Sequence, residues 1–218
     1  MAFQDFRTRL FLITPRALPE NFAESFAGAL SSGDIGCVLI DLEPEAIVQT
    51  DDLAPLVKAA QDKDVAVLVA GDTQLAGRLS ADGVHVPSPK SLDRDDQDRL
   101  QKGGMIIGCA GINSRHLALE TGERGFDYLF FGRTDRTQET DNHPKTETLS
   151  LWWAQMMAVP CVAFSGTSDE AFQTLARGGV EFIAVRNEVW GADDLTAKIA
   201  ELNTTLDTIA RQRMAEVA

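Results

Sequence analysis

Asp41, Asp72, Asp82 and His85 stand in or just after apolar runs that read as β-strands. Asp41 follows Cys37-Val38-Leu39-Ile40, with Glu43 two residues on. Asp72 follows the apolar run 65–70, and Asp82 and His85 belong to Ala81-Asp82-Gly83-Val84-His85, read here as the end of a strand. Carboxylates gathered at neighbouring strand ends can bind a divalent cation or raise one another's pKa for proton transfer. Histidine titrates near neutrality and serves as acid, base or ligand; otherwise it orients backbone below the rim. Asp41, Asp72 and His85 are therefore the candidate catalytic residues, and Asp82 is expected to pair within the scaffold.

A second set suits phosphate. Ser165-Gly166-Thr167-Ser168 combines small residues, hydroxyls and a helix N-cap candidate in Ser168. Arg186 ends the last apolar run and is open to two readings, a bidentate phosphate contact or an ion pair with an acidic neighbour. Arg133 and Thr137 lie in the polar segment 133–145 (RTDRTQETDNHPK), long for a connection and able to fold over an anion. Ser165, Gly166, Thr167, Arg186, Thr137 and Arg133 are the candidate phosphate ligands. His116 and His143 have no cysteine or histidine at metal spacing and read as solvated.

Eight apolar runs must position these residues. They cover 10–14, 37–41, 65–69, 83–86, 105–108, 128–131, 161–164 and 182–185, with amphipathic helical stretches between them. The 65–69 run (VAVLV) is almost wholly apolar, as a strand covered on both faces should be. The last stretch, 194–213, carries Leu195, Ile199, Leu202, Leu206 and Ile209 as a core stripe. Eight alternations without a compositional break predict a single (β/α)₈ barrel domain over 1–218, with an open doubly wound sheet as the other topology.

A chain of 218 residues with 44% hydrophobic and 24% charged residues can bury a full core. Its formal charge of -13 argues against broad nucleic-acid or anionic-membrane binding. Cys37, Cys109 and Cys161 are odd in number, far apart and set in apolar runs, which reads as reduced buried thiols. With no secretory pattern and no transmembrane run, a cytoplasmic location is expected. Of Trp152 and Trp153, one packs inward and the other covers the barrel's outside or a subunit interface, leaving a homodimer open.

The order of motifs resembles the thiamine-phosphate synthase family and its thiazole tautomerase relatives. Arg9-Leu10-Phe11-Leu12-Ile13-Thr14 resembles that family's opening L-Y-L-I-T. Leu75-Ala76 with Ala81-Asp82-Gly83-Val84-His85 resembles its L-A…A-D-G-V-H, and Gly125-Phe126-Asp127-Tyr128 its G-A-D-Y. The 160–166 segment resembles P-V-V-A-I-G-G with Ser165 for the first glycine, and 178–185 resembles G-A-D-G-V-A-V. The resemblance implies a barrel that joins a pyrimidine diphosphate to a thiazole phosphate, with magnesium neutralising the departing diphosphate.

Several positions depart from the family pattern. The family's Q-x-R-x-K falls on Leu39, Asp41 and Glu43, and its N-D pair on Ala70 and Gly71. Its aspartate after A-D-G-V-H falls on Lys90, its S-x-H on Ala110 and Ile112, and its sixth-loop lysine on Thr140, although Thr137 matches. The residues present fix no cofactor; magnesium is the candidate that the resemblance implies, with its family ligands missing. The expectation is a family member that binds a small phosphorylated heterocycle at the barrel's C-terminal rim without the usual magnesium-dependent mechanism. The alternatives are a non-catalytic phosphate-ligand binder or regulatory protein, and a tautomerase-like isomerase.

Overall fold

A computed structural model of the chain describes residues 3–43, 50–135 and 138–217. Eight parallel strands pair in sequence order and close on themselves: β1 (Arg9–Ile13), β2 (Ile35–Ile40), β3 (Ala66–Ala70), β4 (Gly83–Val86), β5 (Ile106–Cys109), β6 (Tyr128–Phe131), β7 (Cys161–Phe164) and β8 (Phe182–Val185). Closure is direct, with Leu12 opposite Val185 where β1 meets β8. The expected barrel is the fold, and the open sheet is excluded by that pairing.

Helices return the chain between strands: α1 (Phe22–Ser31), α2 (Thr50–Gln61), α3 (Thr73–Leu79), α4 (Arg94–Lys102), α5 (Arg115–Glu123), α6 (Pro144–Met156) and α7 (Asp169–Gly178). A four-residue α8 (Asn187–Trp190) precedes the long α9 (Leu195–Val217). The predicted stripe is real: Ile199, Leu202, Leu206 and Ile209 are buried on α9. The short α8 was not legible, because one helical turn carries no periodicity to read.

Two apolar layers follow from the two-residue period of a strand. Leu10, Leu12, Val38, Ile40, Val67, Val69 and Ile107 face the helices. Phe11, Ile13, Leu39, Leu68, Tyr128, Phe130, Val162, Phe164 and Ala184 fill the barrel's interior. Continuing the interior parity upward, Leu39 leads to Asp41, Leu68 to Ala70 and Ala184 to Arg186. The same alternation that packs the core therefore aims Asp41 and Arg186 at the barrel axis.

At the opposite, N-terminal face, acids tie strand starts together. Asp82 accepts the Val67 N–H (2.7 Å), Asp127 the Ile107 N–H (2.7 Å) and Glu181 the Cys161 N–H (2.9 Å). Asp34 takes Arg7 and Arg9. Each acid precedes an even-numbered strand, and three of them anchor the odd-numbered strand before it. This corrects one sequence expectation. Asp82 lies at the entrance of β4, not its exit, and its structural pairing is as expected. Gly83 is small for the neighbouring strand rather than for a ligand, since a Cβ there would fall 2.0 Å from the Ile106 carbonyl oxygen. Residues on this face of a barrel serve stability.

Candidate functional site

The C-terminal mouth holds two adjoining cavities. The larger, about 960 Å³, spreads over the ends of β2 to β6 and is lined by Asp41, Asp72, His85, Arg16 and Arg133 among others. The smaller, about 330 Å³, lies against Phe164, Ser165, Gly166, His143 and Lys145. Both are bounded by Ile112, Asn113, Gly132 and Arg133. Gly132 opens the loop after β6 at φ +133°, and a Cβ there would lie 2.5 Å from that of Phe164, so the wall between the cavities needs glycine.

The three candidate catalytic residues are brought to one cavity, but each has a prior engagement. Asp41 is buried and paired with the buried Arg186 across the seam where the barrel closes. Of the two readings of Arg186, the structure adopts the ion pair. Its other terminal nitrogen donates to the Thr134 carbonyl at 2.8 Å, while burial pushes the guanidinium pKa down against the pull of Asp41. The Nε atoms of Arg186 and Arg16 are closed off from solvent with no hydrogen-bond partner among the described residues. Asp72 is exposed and caps α3, accepting the N–H groups of Gln74 (2.9 Å) and Leu75 (2.8 Å) through one oxygen. His85, 4% exposed, meets the Tyr128 hydroxyl through Nδ1 at 2.7 Å. Burial lowers its pKa to about 4, only partly opposed by Asp41.

Magnesium can be tested against these donors. Ala70 and Gly71 offer no side-chain oxygen, Asp41 is committed to a guanidinium, and Asp72 to a helix cap. Among the described residues no group of three or more His, Cys, Asp or Glu could hold a metal ion. The donors present do not fit a protein-built magnesium centre.

The phosphate candidates are also drawn together, and their donors are spent within the chain. The segment 138–142 lies as a strap across loops seven and eight. Asn142 Oδ1 accepts the Gly166 N–H (2.9 Å), the Glu139 carbonyl accepts Thr167 (2.9 Å) and the Thr140 carbonyl accepts Ser168 (3.0 Å). Gln138 accepts the Asn187 N–H at 2.9 Å and donates to the Ser165 carbonyl at 2.7 Å and to Glu188 at 2.8 Å. Ser165 gives its hydroxyl to the Gly166 carbonyl, and Ser168 caps α7 as expected. A Cβ on Gly166 would fall 2.4 Å from the Thr140 carbonyl oxygen, so glycine is what lets the strap lie down. Arg133 is exposed and holds Asp135 beside it in the same loop. Thr137 lies outside the described residues.

Sequence reasoning missed Gln138, Asn142 and Glu188. Glu188 accepts the Arg186 N–H at 3.1 Å through Oε2, while its Oε1 is buried without a partner among the described residues. Burial raises its pKa to about 7, with the surrounding hydrogen bonds and Lys198 pulling the other way. Its only signal in sequence was an acid two residues past the last strand, common in so acidic a chain. His143, expected to be solvated, is exposed but caps α6 and borders the smaller cavity. Tyr128 was legible only as part of a motif.

Residues 10–189 match the family model described as thiamine monophosphate synthase. The thiamine-phosphate synthase of Rhodospirillum centenum is 41% identical over 190 residues, covering 84% of this chain and 89% of that one. That of Erythrobacter litoralis is 32% identical over 203 residues, covering 90% and 95%. Among solved structures, thiamine phosphate pyrophosphorylase from Pyrococcus furiosus superposes with a TM-score of 0.71 at 24% identity, covering 95% of this chain and 99% of that chain, a likeness of fold. Among the described residues no helix is long and apolar enough to cross a membrane. With the motif order, the closed barrel and these relatives in agreement, the chain belongs to the thiamine-phosphate synthase family, a family of thiamine biosynthesis.

Proposed function

We propose that this family member binds a phosphorylated thiazole or pyrimidine precursor of thiamine at its C-terminal rim, and acts there without magnesium held by its own carboxylates. The pair of adjoining cavities carries this reading. At about 960 and 330 Å³ they suit a heterocycle in the larger and a compact anionic group in the smaller, with Arg133 on the boundary. Arg133, Ser165 and Gly166 line the smaller cavity, and Thr167, next to Gly166 in sequence, and Arg186 complete the proposed set. Thr137, near Arg133 in sequence, belongs to the same proposed set. A bound phosphate would exchange its oxygens for the strap's at the Gly166 and Thr167 N–H groups.

Within the larger cavity Asp41, Asp72 and His85 surround the heterocycle. Asp41 acts through Arg186, holding its charge at the mouth where a leaving anion needs compensation. Titration calorimetry with thiazole phosphate tests the reading: binding is expected in wild type and is weakened about tenfold in Arg133→Ala. Turnover of pyrimidine diphosphate with thiazole phosphate, with and without magnesium, tests the chemistry; strict magnesium dependence would count against it. A second reading, a binder without turnover, draws support from the Asp41–Arg186 pair and the occupied loop donors. Tight binding with no turnover would favour it.

A further inference from the structure

Tyr128 and His85 form a buried pair inside the barrel. They sit on β6 and β4, with β5 between them, and their rings stack at 5.8 Å between centroids and 21° between planes. The strand between contributes Gly108, where a Cβ would lie 1.8 Å from Tyr128 Cζ. The phenol crosses β5 only because that position has no side chain. Phe130 meets the imidazole edge-on at 5.0 Å and Phe11 meets the phenol at 5.7 Å, so both rings are held by packing.

The 2.7 Å contact between Tyr128 Oη and His85 Nδ1 can be made in two ways, and donor accounting separates them. If Nδ1 carried the hydrogen, the phenol's own hydrogen would face an apolar interior, since Tyr128 has no other hydrogen-bond partner among the described residues. An unsatisfied buried donor costs more than the bond it forgoes returns. If the phenol donates, its hydrogen and the Nδ1 lone pair are both satisfied, and the imidazole hydrogen moves to Nε2. His85 lines the larger cavity and Nε2 has no partner among the described residues. The cavity wall there includes Ala70, Ala110 and Phe130, and the nearby Asp41 carboxylate is already paired with Arg186, a setting that suits an uncharged acceptor better than a phosphate oxygen.

We infer that His85 meets its ligand as a neutral Nε2–H donor to a ring nitrogen of an aromatic heterocycle, with Tyr128 as the residue that positions it. This replaces the acid–base role expected for His85, since the only lone pair in the ring plane is the one already taken by Tyr128. Burial supports the neutral state of both groups, lowering the histidine's pKa to about 4 and raising the tyrosine's well above its usual value. The ligand half of the inference rests on the proposed function; the hydrogen's position does not.

Long-range ¹H–¹⁵N spectra of ¹⁵N-histidine protein at pH 7, with His85 assigned from its absence in His85→Gln, read the tautomer directly. A protonated Nε2 with a bare Nδ1 is expected, shifting toward Nδ1 protonation in Tyr128→Phe. A hydrogen on Nδ1 in wild type, or a Tyr128→Phe spectrum identical to wild type, overturns the inference. Calorimetry with pyrimidine diphosphate then tests the ligand. His85→Gln, which keeps an N–H, should bind within about threefold of wild type and His85→Leu at least tenfold more weakly. Equal losses in the two variants overturn the donor role. If wild type has the expected tautomer but binds neither the pyrimidine nor the thiazole compound, the ligand half falls with the proposed function.

Discussion

The two halves of the barrel's mouth are built on opposite principles. Over β3 to β5 the wall includes Ala70, Gly71, Ala110 and Gly111 beside His85, whose outer nitrogen has no partner among the described residues, so the surface there is open to a ligand. Over β6 to β8 the chain has closed on itself: the N–H groups of Gly166, Thr167, Ser168, Arg186 and Asn187 all end on its own oxygens. Glycine and a helix start after β7 suggested a vacant phosphate cradle. The difference teaches that residue types at a barrel rim predict what can be bound, while the neighbouring loop decides whether the donors are available.

The comparison can be broken at its seam first. Asp41→Ala leaves the Arg186 charge buried and unpaired, and should cost about 3 kcal/mol in urea unfolding. The double variant Asp41→Leu, Arg186→Met should recover most of that loss. If the single variant is as stable as wild type, the two residues are not the buried couple described.

Glu188 offers the next largest effect. Its folded pKa of about 7 lies above the 4.5 of the unfolded chain, so the folded chain binds the extra proton. Stability from this group is fully present below about pH 4.5 and is lost as pH rises through 7, by on the order of 3 kcal/mol. His85 has the reverse sign. Its folded pKa of about 4 lies below 6.5, so its contribution is intact above pH 6.5 and is lost as pH falls towards 4. Unfolding curves at stepped pH should show Glu188→Gln stabilised relative to wild type at pH 8 and not at pH 4. A constant difference across that range would remove the distinction between the two halves.

Asn142→Ala should cost about 1 kcal/mol and deprotect the Gly166 amide in hydrogen exchange, with the Ile107 amide at the other face unchanged. The same variant should bind thiazole phosphate more tightly if the strap competes with it; weaker binding would instead make Asn142 a ligand. The smallest effect is at Asp72, an exposed cap, where Asp72→Ala should cost at most about 1 kcal/mol by thermal unfolding.

Much of the scaffold was legible because short-range patterns decide it. The alternation of Leu10 and Leu12 with Phe11 and Ile13, and the stripe through Ile199, Leu202 and Leu206, need only a period to be read. Ser168 before α7 announced its cap. The site was less legible. The motif Ala81-Asp82-Gly83-Val84-His85 read as a strand's end though Asp82 stands at its entrance, and the backbone N–H that Asp82 serves belongs to another strand, which no local pattern names. Gln138 and Asn142 looked like ordinary loop polarity, since an amide side chain carries no sign of which distant N–H it will meet.

By itself the sequence determined the eight-fold alternation, the apolar layers, the family, and the parity that sends Asp41 and Arg186 inward, because each depends on residues near one another along the chain. Only the tertiary structure decided that Arg186 would spend its charge on Asp41, 145 residues away, that the strap would claim loops seven and eight, and that Gly108 would let Tyr128 reach His85. Those outcomes depend on barrel closure, which pairs β1 with β8, puts β2 one strand further on and sets loops against each other at distances no local pattern encodes.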